Sequence, residues 1–156
     1  MIARSHAGAP DAGSPSEDVV RPPDRVTTEH VVAHVRALIE KGEGEAAEQA
    51  LHSSGIGDAI PPGLATNDLL EARGLLHLAR GRAREGLEDL IEFGKRDELW
   101  GGANPLASRW RSRASRGFAA VAEGERAKEM ALDDLERAQR WGSATGLGVA
   151  LHAVGL

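Results

Sequence analysis

Arg109, Arg113 and Arg116 fall at i, i+4 and i+7, which on a helix places three guanidinium groups on one face. Guanidinium forks pair with carboxylates and phosphates, so such a stripe suits an anionic ligand or an acidic partner peptide. Trp110 and Arg111 stand beside it. Together with Arg73 and His77, the residues Arg109, Trp110, Arg113 and Arg116 are the expected lining of a ligand or partner groove. The same stripe also has a purely internal explanation. The following segment supplies Glu123, Glu125, Glu129, Asp133, Asp134 and Glu136, enough acid to offset it.

The other reactive side chains point to little chemistry. His30 and His34 have the i, i+4 spacing of a metal pair, but Val31 stands where a zinc protease carries its glutamate. They read as two partly exposed histidines beside an apolar stripe. Trp100, Trp110 and Trp141 lie near helix ends or loops, where they are expected to close repeat units as core or staple residues. His77 sits in the densest apolar stretch and is expected to pack, not to act as a base. No Ser/His/Asp arrangement and no outstanding carboxylate pair is evident. The absence of cysteine excludes disulfides and thiolate chemistry. The expectation is a non-enzyme without metal or cofactor.

The elements that must position these residues are helices. No stretch alternates with period two, so no strands are expected. Residues 1–26 carry Pro10, Pro15, Pro22 and Pro23 among small polar residues and read as a disordered leader. Residues 27–156 read as one helical-repeat domain. Thr27 or Thr28 caps the first helix, and Gly55 stops the second. Asn67 or Asp68 caps the third, Asn104-Pro105 starts the fifth, and Ser143 caps a seventh segment after the stop at Gly142. With an aromatic content of only 3%, the core must be aliphatic, which suits close helix packing. The net charge of −5 argues against direct nucleic-acid contact, and no apolar run is long enough to span a membrane. A cytoplasmic location is expected. Sixteen arginines against three lysines, with abundant alanine, fit a high-GC bacterial genome.

The helices repeat. Gly74 and Gly81 enclose six residues, as do Gly117 and Gly124. The first glycine of each set is expected to allow close helix packing and the second to turn the chain. Aligning Gly42, Gly81 and Gly124 as turns gives hairpins at about 28–54, 68–98 and 105–141, with a partial fourth at 143–156. The expected fold is all-α, a tetratricopeptide-like superhelix. Its fourth unit has an apolar face without a partner helix, expected to be frayed or to be covered by another chain.

An ordered series of short motifs adds a family resemblance. Leu70-Glu-Ala-Arg-Gly-Leu-Leu-His-Leu-Ala-Arg-Gly-Arg82, Leu135-Glu-Arg-Ala-Gln-Arg-Trp-Gly142 and Leu147-Gly-Val-Ala-Leu-His-Ala-Val-Gly155 resemble the helical-repeat region of large ATP-binding LuxR-family transcriptional regulators. Lys41-Gly-Glu-Gly-Glu-Ala-Ala-Glu48, Asn104-Pro105 and Trp110-Arg111-Ser112 are similar to other parts of that region. The resemblance implies a sensor or protein-interaction segment that holds an effector or partner in its groove. The family's ATPase loop, Gly-x-x-x-x-Gly-Lys-Ser/Thr, has no counterpart here, and its helix-turn-helix is not found either. A free-standing tetratricopeptide-like adaptor that captures a peptide is the alternative expectation.

Overall fold

A computed structural model describes residues 25–55, 60–102 and 108–155. Seven α-helices make up nearly all of the described chain: α1 (Arg25–Glu40), α2 (Gly44–Ser53), α3 (Leu64–Ala79), α4 (Ala83–Leu99), α5 (Trp110–Ala120), α6 (Gly124–Trp141) and α7 (Ala144–Val154). There is no strand among the described residues.

Successive helices pack as α1–α2, α3–α4 and α5–α6 hairpins, and α7 lies against α6 and α5. The odd-numbered helices also touch one another, α1 with α3, α3 with α5 and α5 with α7. The backbones of α2, α4 and α6 stay apart from each other among the described residues. One hydrophobic cluster, mostly aliphatic but with Phe93, Trp110 and Phe118 in it, runs through the stack from Val32, Val35 and Leu38 through Leu69, Leu76 and Leu90 to Ala127.

Three hairpins share one turn. At Gly42 (φ 78°), Gly81 (φ 75°) and Ala122 (φ 62°) the backbone is left-handed. The next amide reaches back to close the helix end: Glu43 N to Leu38 O, Arg82 N to His77 O and Glu123 N to Phe118 O, at 2.9, 2.8 and 2.9 Å. Each following residue then opens the next helix with nearly the same angles, φ −87°, −88° and −94° with ψ 57°, 65° and 61°. The repeat is therefore real at the level of backbone geometry. The third turn, however, is at Ala122. Gly124 is the first residue of α6, equivalent to Gly44 and Ala83. Left-handed backbone is steric strain for alanine and free for glycine. Ala122 is exposed, so its methyl contributes no packing. Ala122→Gly is expected to raise stability by about 1 kcal/mol. A urea midpoint at or below that of the parent chain would contradict this.

The first glycines do pack helices together. A Cβ on Gly86 would lie 2.8 Å from the Gly74 carbonyl oxygen, and one on Gly117 would lie 2.8 Å from Leu87 Cδ2. Gly74 and Gly86 thus let α3 and α4 approach closely, while Gly117 lets α5 settle on α4.

Several boundaries differ from expectation. The first helix starts at Arg25, within the expected leader, whose residues 1–24 lie outside the described residues, and Thr28 is buried within the helix instead of capping it. The third helix starts at Leu64, ahead of Asn67 and Asp68. There Thr66 Oγ1 donates to the Pro61 carbonyl at 2.7 Å, and buried Asn67 Nδ2 donates across to the Phe93 carbonyl at 3.4 Å. The Thr66 bond is local, whereas Asn67 is committed to a tertiary bond and is unavailable as a cap. Asn104-Pro105 lies outside the described residues, but Ser108 and Arg109 are not helical and α5 begins at Trp110. Ser143 does cap α7, accepting from Gly146 N at 3.2 Å, and Gly142 ends α6 in the left-handed region. At this end Ala150 and Ala153 are buried, while Leu132, Trp141, Leu151 and Val154 remain exposed. No helix of the described residues is long and apolar enough to cross a membrane.

Candidate functional site

The row of odd helices carries two adjoining cavities on the side of α5. One, of about 300 Å³, lies between α1, α3 and α5. Ile39, Leu75, Leu78, Ala79 and Ala120 give it an apolar floor. The other, of about 230 Å³, lies between α5 and α7, with Arg109, Val149 and His152 on its wall. Arg113 and Arg116 line both, so the two are joined through the arginine stripe.

Burial on α5 follows from its sequence. Trp110, Ala114, Gly117 and Phe118 turn inward and leave Arg109, Arg113 and Arg116 along the edge that faces α3 and α7. Arg113 does not pair with the acids of α6. It donates through Nη1 to Glu71 of α3, whose other carboxylate oxygen accepts from Arg36 Nη2 of α1. Glu71 is buried, with 5% side-chain exposure, and thereby ties three odd helices together. The α6 acids are used elsewhere. Asp133 accepts from Arg111 Nε at 2.8 Å and from Arg137, and Asp134 accepts from the Ser112 hydroxyl. Arg111 reaches Glu98 as well and lies with its guanidinium 4.4 Å from the Trp110 ring centroid. Arg109 and Arg116 have no ionic partner among the described residues.

The six expected groove residues therefore divide. Arg109, Arg113 and Arg116 line the cavities. Arg73 and His77 turn the other way, toward α4: Arg73 grips Asp89 with a two-pronged bond at 2.8 and 2.7 Å, and His77 Nδ1 lies 4.0 Å from the same carboxylate. Burial holds the His77 imidazole below its ordinary pKa, against the pull of Asp89. Trp110 is a core residue between α4 and α5, 6% exposed. Trp100 and Trp141 are exposed and so are not core residues. His30 and His34 are both exposed on α1. Among the described residues no group of three His, Cys, Asp or Glu is placed to hold a metal.

No protein-family profile, curated protein or solved structure matches this chain. The site's chemistry must therefore be read from its own residues.

Beneath the stripe, the Asp134 carboxyl is pushed above its ordinary value by burial, with the Ser112 hydrogen bond and the Arg111 charge opposing. The unfolded chain therefore loses this proton at lower pH than the folded chain. The folded state consequently loses stability as pH rises from the ordinary aspartate range through the raised pKa. Asp134→Asn abolishes that loss and can still accept from Ser112. Relative to the parent, the variant is expected to gain stability between about pH 3 and pH 7. Urea denaturation across that range reads it directly, and a constant stability difference would sink the argument.

Proposed function

We propose that this chain is a non-catalytic helical-repeat segment that binds an effector or protein partner on the face formed by α1, α3 and α5. We further infer that it serves as the sensor segment of a LuxR-family transcriptional regulator. We read the arrangement of the helices as a tetratricopeptide-like superhelix. Three hairpins repeat one turn geometry, and the odd helices touch while the even ones splay, which is how a stack curves toward one row. The odd row is then the concave side, where solenoids hold their ligands.

The observation that carries the reading is the paired cavity along α5. It lies on the odd row, has an apolar floor, and is edged by arginines of which two are not consumed internally among the described residues. Such a concave surface, apolar with a few polar groups converging on it, suits recognition of a ligand. The regulator assignment draws on the ordered motifs from Lys41 to Gly155.

Backbone amide shifts of the labelled chain, screened against small-molecule and peptide libraries, test the proposal. Hits are expected to move amides of α1, α3 and α5. Hits confined to α2, α4 and α6, or chemical turnover of a hit, would refute it.

A further inference from the structure

The cavities along α5 differ in charge from the rest of the molecule. The chain carries a net charge of −5, and two further cavities are edged by acids and bases together. Glu88, Glu92 and Glu123 stand with Arg84, Lys95 and Arg126 around one of them, between α4 and α6, and Glu43 and Glu45 stand with Arg80 around the other, beside α2. Neither α5 cavity is lined by a described acid. Most described arginines are paired internally: Arg36, Arg73, Arg82, Arg96, Arg111 and Arg126 each reach a carboxylate. Arg109 and Arg116 do not, and both face the same cavity. Arg113 uses only its Nη1 on Glu71, so its remaining N–H donors stay available. The apolar floor begins directly behind Arg113 and Arg116.

We propose that the two cavities form one bipartite site for a small organic anion. The apolar body of the ligand occupies the α1–α3–α5 cavity. Its carboxylate or phosphate head lies on Arg109, Arg113 and Arg116. The guanidinium forks supply paired donors for either head group. The floor of Ile39, Leu75, Leu78, Ala79 and Ala120 selects ligands with an apolar body over bare ions, because only these remove that surface from water. This inference rests on the odd row being the binding face and adds the ligand class.

The test titrates the labelled full chain with octanoate and octyl phosphate, and with octanol and inorganic phosphate as the separate halves of the ligand. At least one organic anion is expected to saturate, with amide shifts on α1, α3, α5 and α7. Both half-ligands should bind about tenfold more weakly or worse. Saturation by octanoate alone assigns a carboxylate, by octyl phosphate alone a phosphate, and by both an anion of either kind. In the double variant Arg109→Gln/Arg116→Gln, octanoate or octyl phosphate should fall to the affinity of octanol. The fold is expected to survive, since neither arginine holds an ion pair among the described residues. Arg116→Gln alone gives the same readout should the double variant unfold.

Binding by neither organic anion overturns the proposal, as does octanol binding as tightly as the anions, or an anion preference that survives the double variant. Library hits on α1, α3 and α5 without binding of either anion would remove the ligand class and leave the binding face standing.

Discussion

Glu71→Gln lowers the unfolding free energy by about 2–3 kcal/mol, although it preserves the shape of the side chain. Glu71 lies in an apolar run, Leu69-Leu-Glu-Ala72, and is itself 4% exposed. A carboxylate survives there because each oxygen meets an arginine, Arg36 from α1 and Arg113 from α5. Removing one partner of a fully buried pair costs about 3–5 kcal/mol, because the abandoned charge stays out of water. The abandoned arginines here are 38% and 26% exposed in their side chains and recover part of their hydration, which lowers the figure. Salt should weaken the interaction little, since the acid is shielded from solvent. The measurement is a urea denaturation series at neutral pH in low and high salt. A change below about 0.5 kcal/mol, the level of an ordinary surface substitution, would mean that the tie between α1, α3 and α5 is not energetic.

That tie marks the limit of what the residue pattern shows. The all-α architecture is legible because helix stops, apolar periodicity and small-residue spacing are local signals. Gly42, Gly55, Gly81 and Gly142 all end helices in the left-handed region. Gly74 and Gly117 sit at close helix contacts, as their spacing suggests. The third turn lies at Ala122, two residues before the expected Gly124, and an alanine gives no sign of a positive φ. Asn67 does not cap α3 because its side-chain bond runs to Phe93, distant in sequence. The site follows the same division. The stripe Arg109, Arg113, Arg116 was visible as a periodicity. Its partner was not, because proximity in sequence favoured the acids of α6, whereas Arg113 pairs with Glu71 across the odd row. A single acid inside an apolar helix was the available signal, since such a residue stays buried only with a cation against it. Arg73 and His77 lie on α3 with Glu71, but on the face toward α4, a rotation that depends on where Asp89 falls.

Gly94→Ala is expected to destabilise the chain by about 2 kcal/mol, against the direction of helix propensity. In the interior of an exposed helix this substitution would stabilise by about 1 kcal/mol. Here a Cβ would stand 2.5 Å from two carbons of the Trp110 ring and 2.6 Å from a third, closer than carbon atoms approach. The indole cannot swing aside easily. It is buried, its helix α5 is held to α4 by the Gly117–Leu87 contact, and Arg111 covers its face. The strain must spread into a shift of α5, the helix that carries Arg109, Arg113 and Arg116. The substitution should therefore weaken the α5 cavities as well as the fold. Trp110→Leu supplies the control. Alone it leaves space and costs about 2–4 kcal/mol. Combined with Gly94→Ala, the new methyl occupies that space, so the double variant should be more stable than the sum of the two losses predicts. Strict additivity in that cycle would show that the glycine is not held at position 94 by the tryptophan.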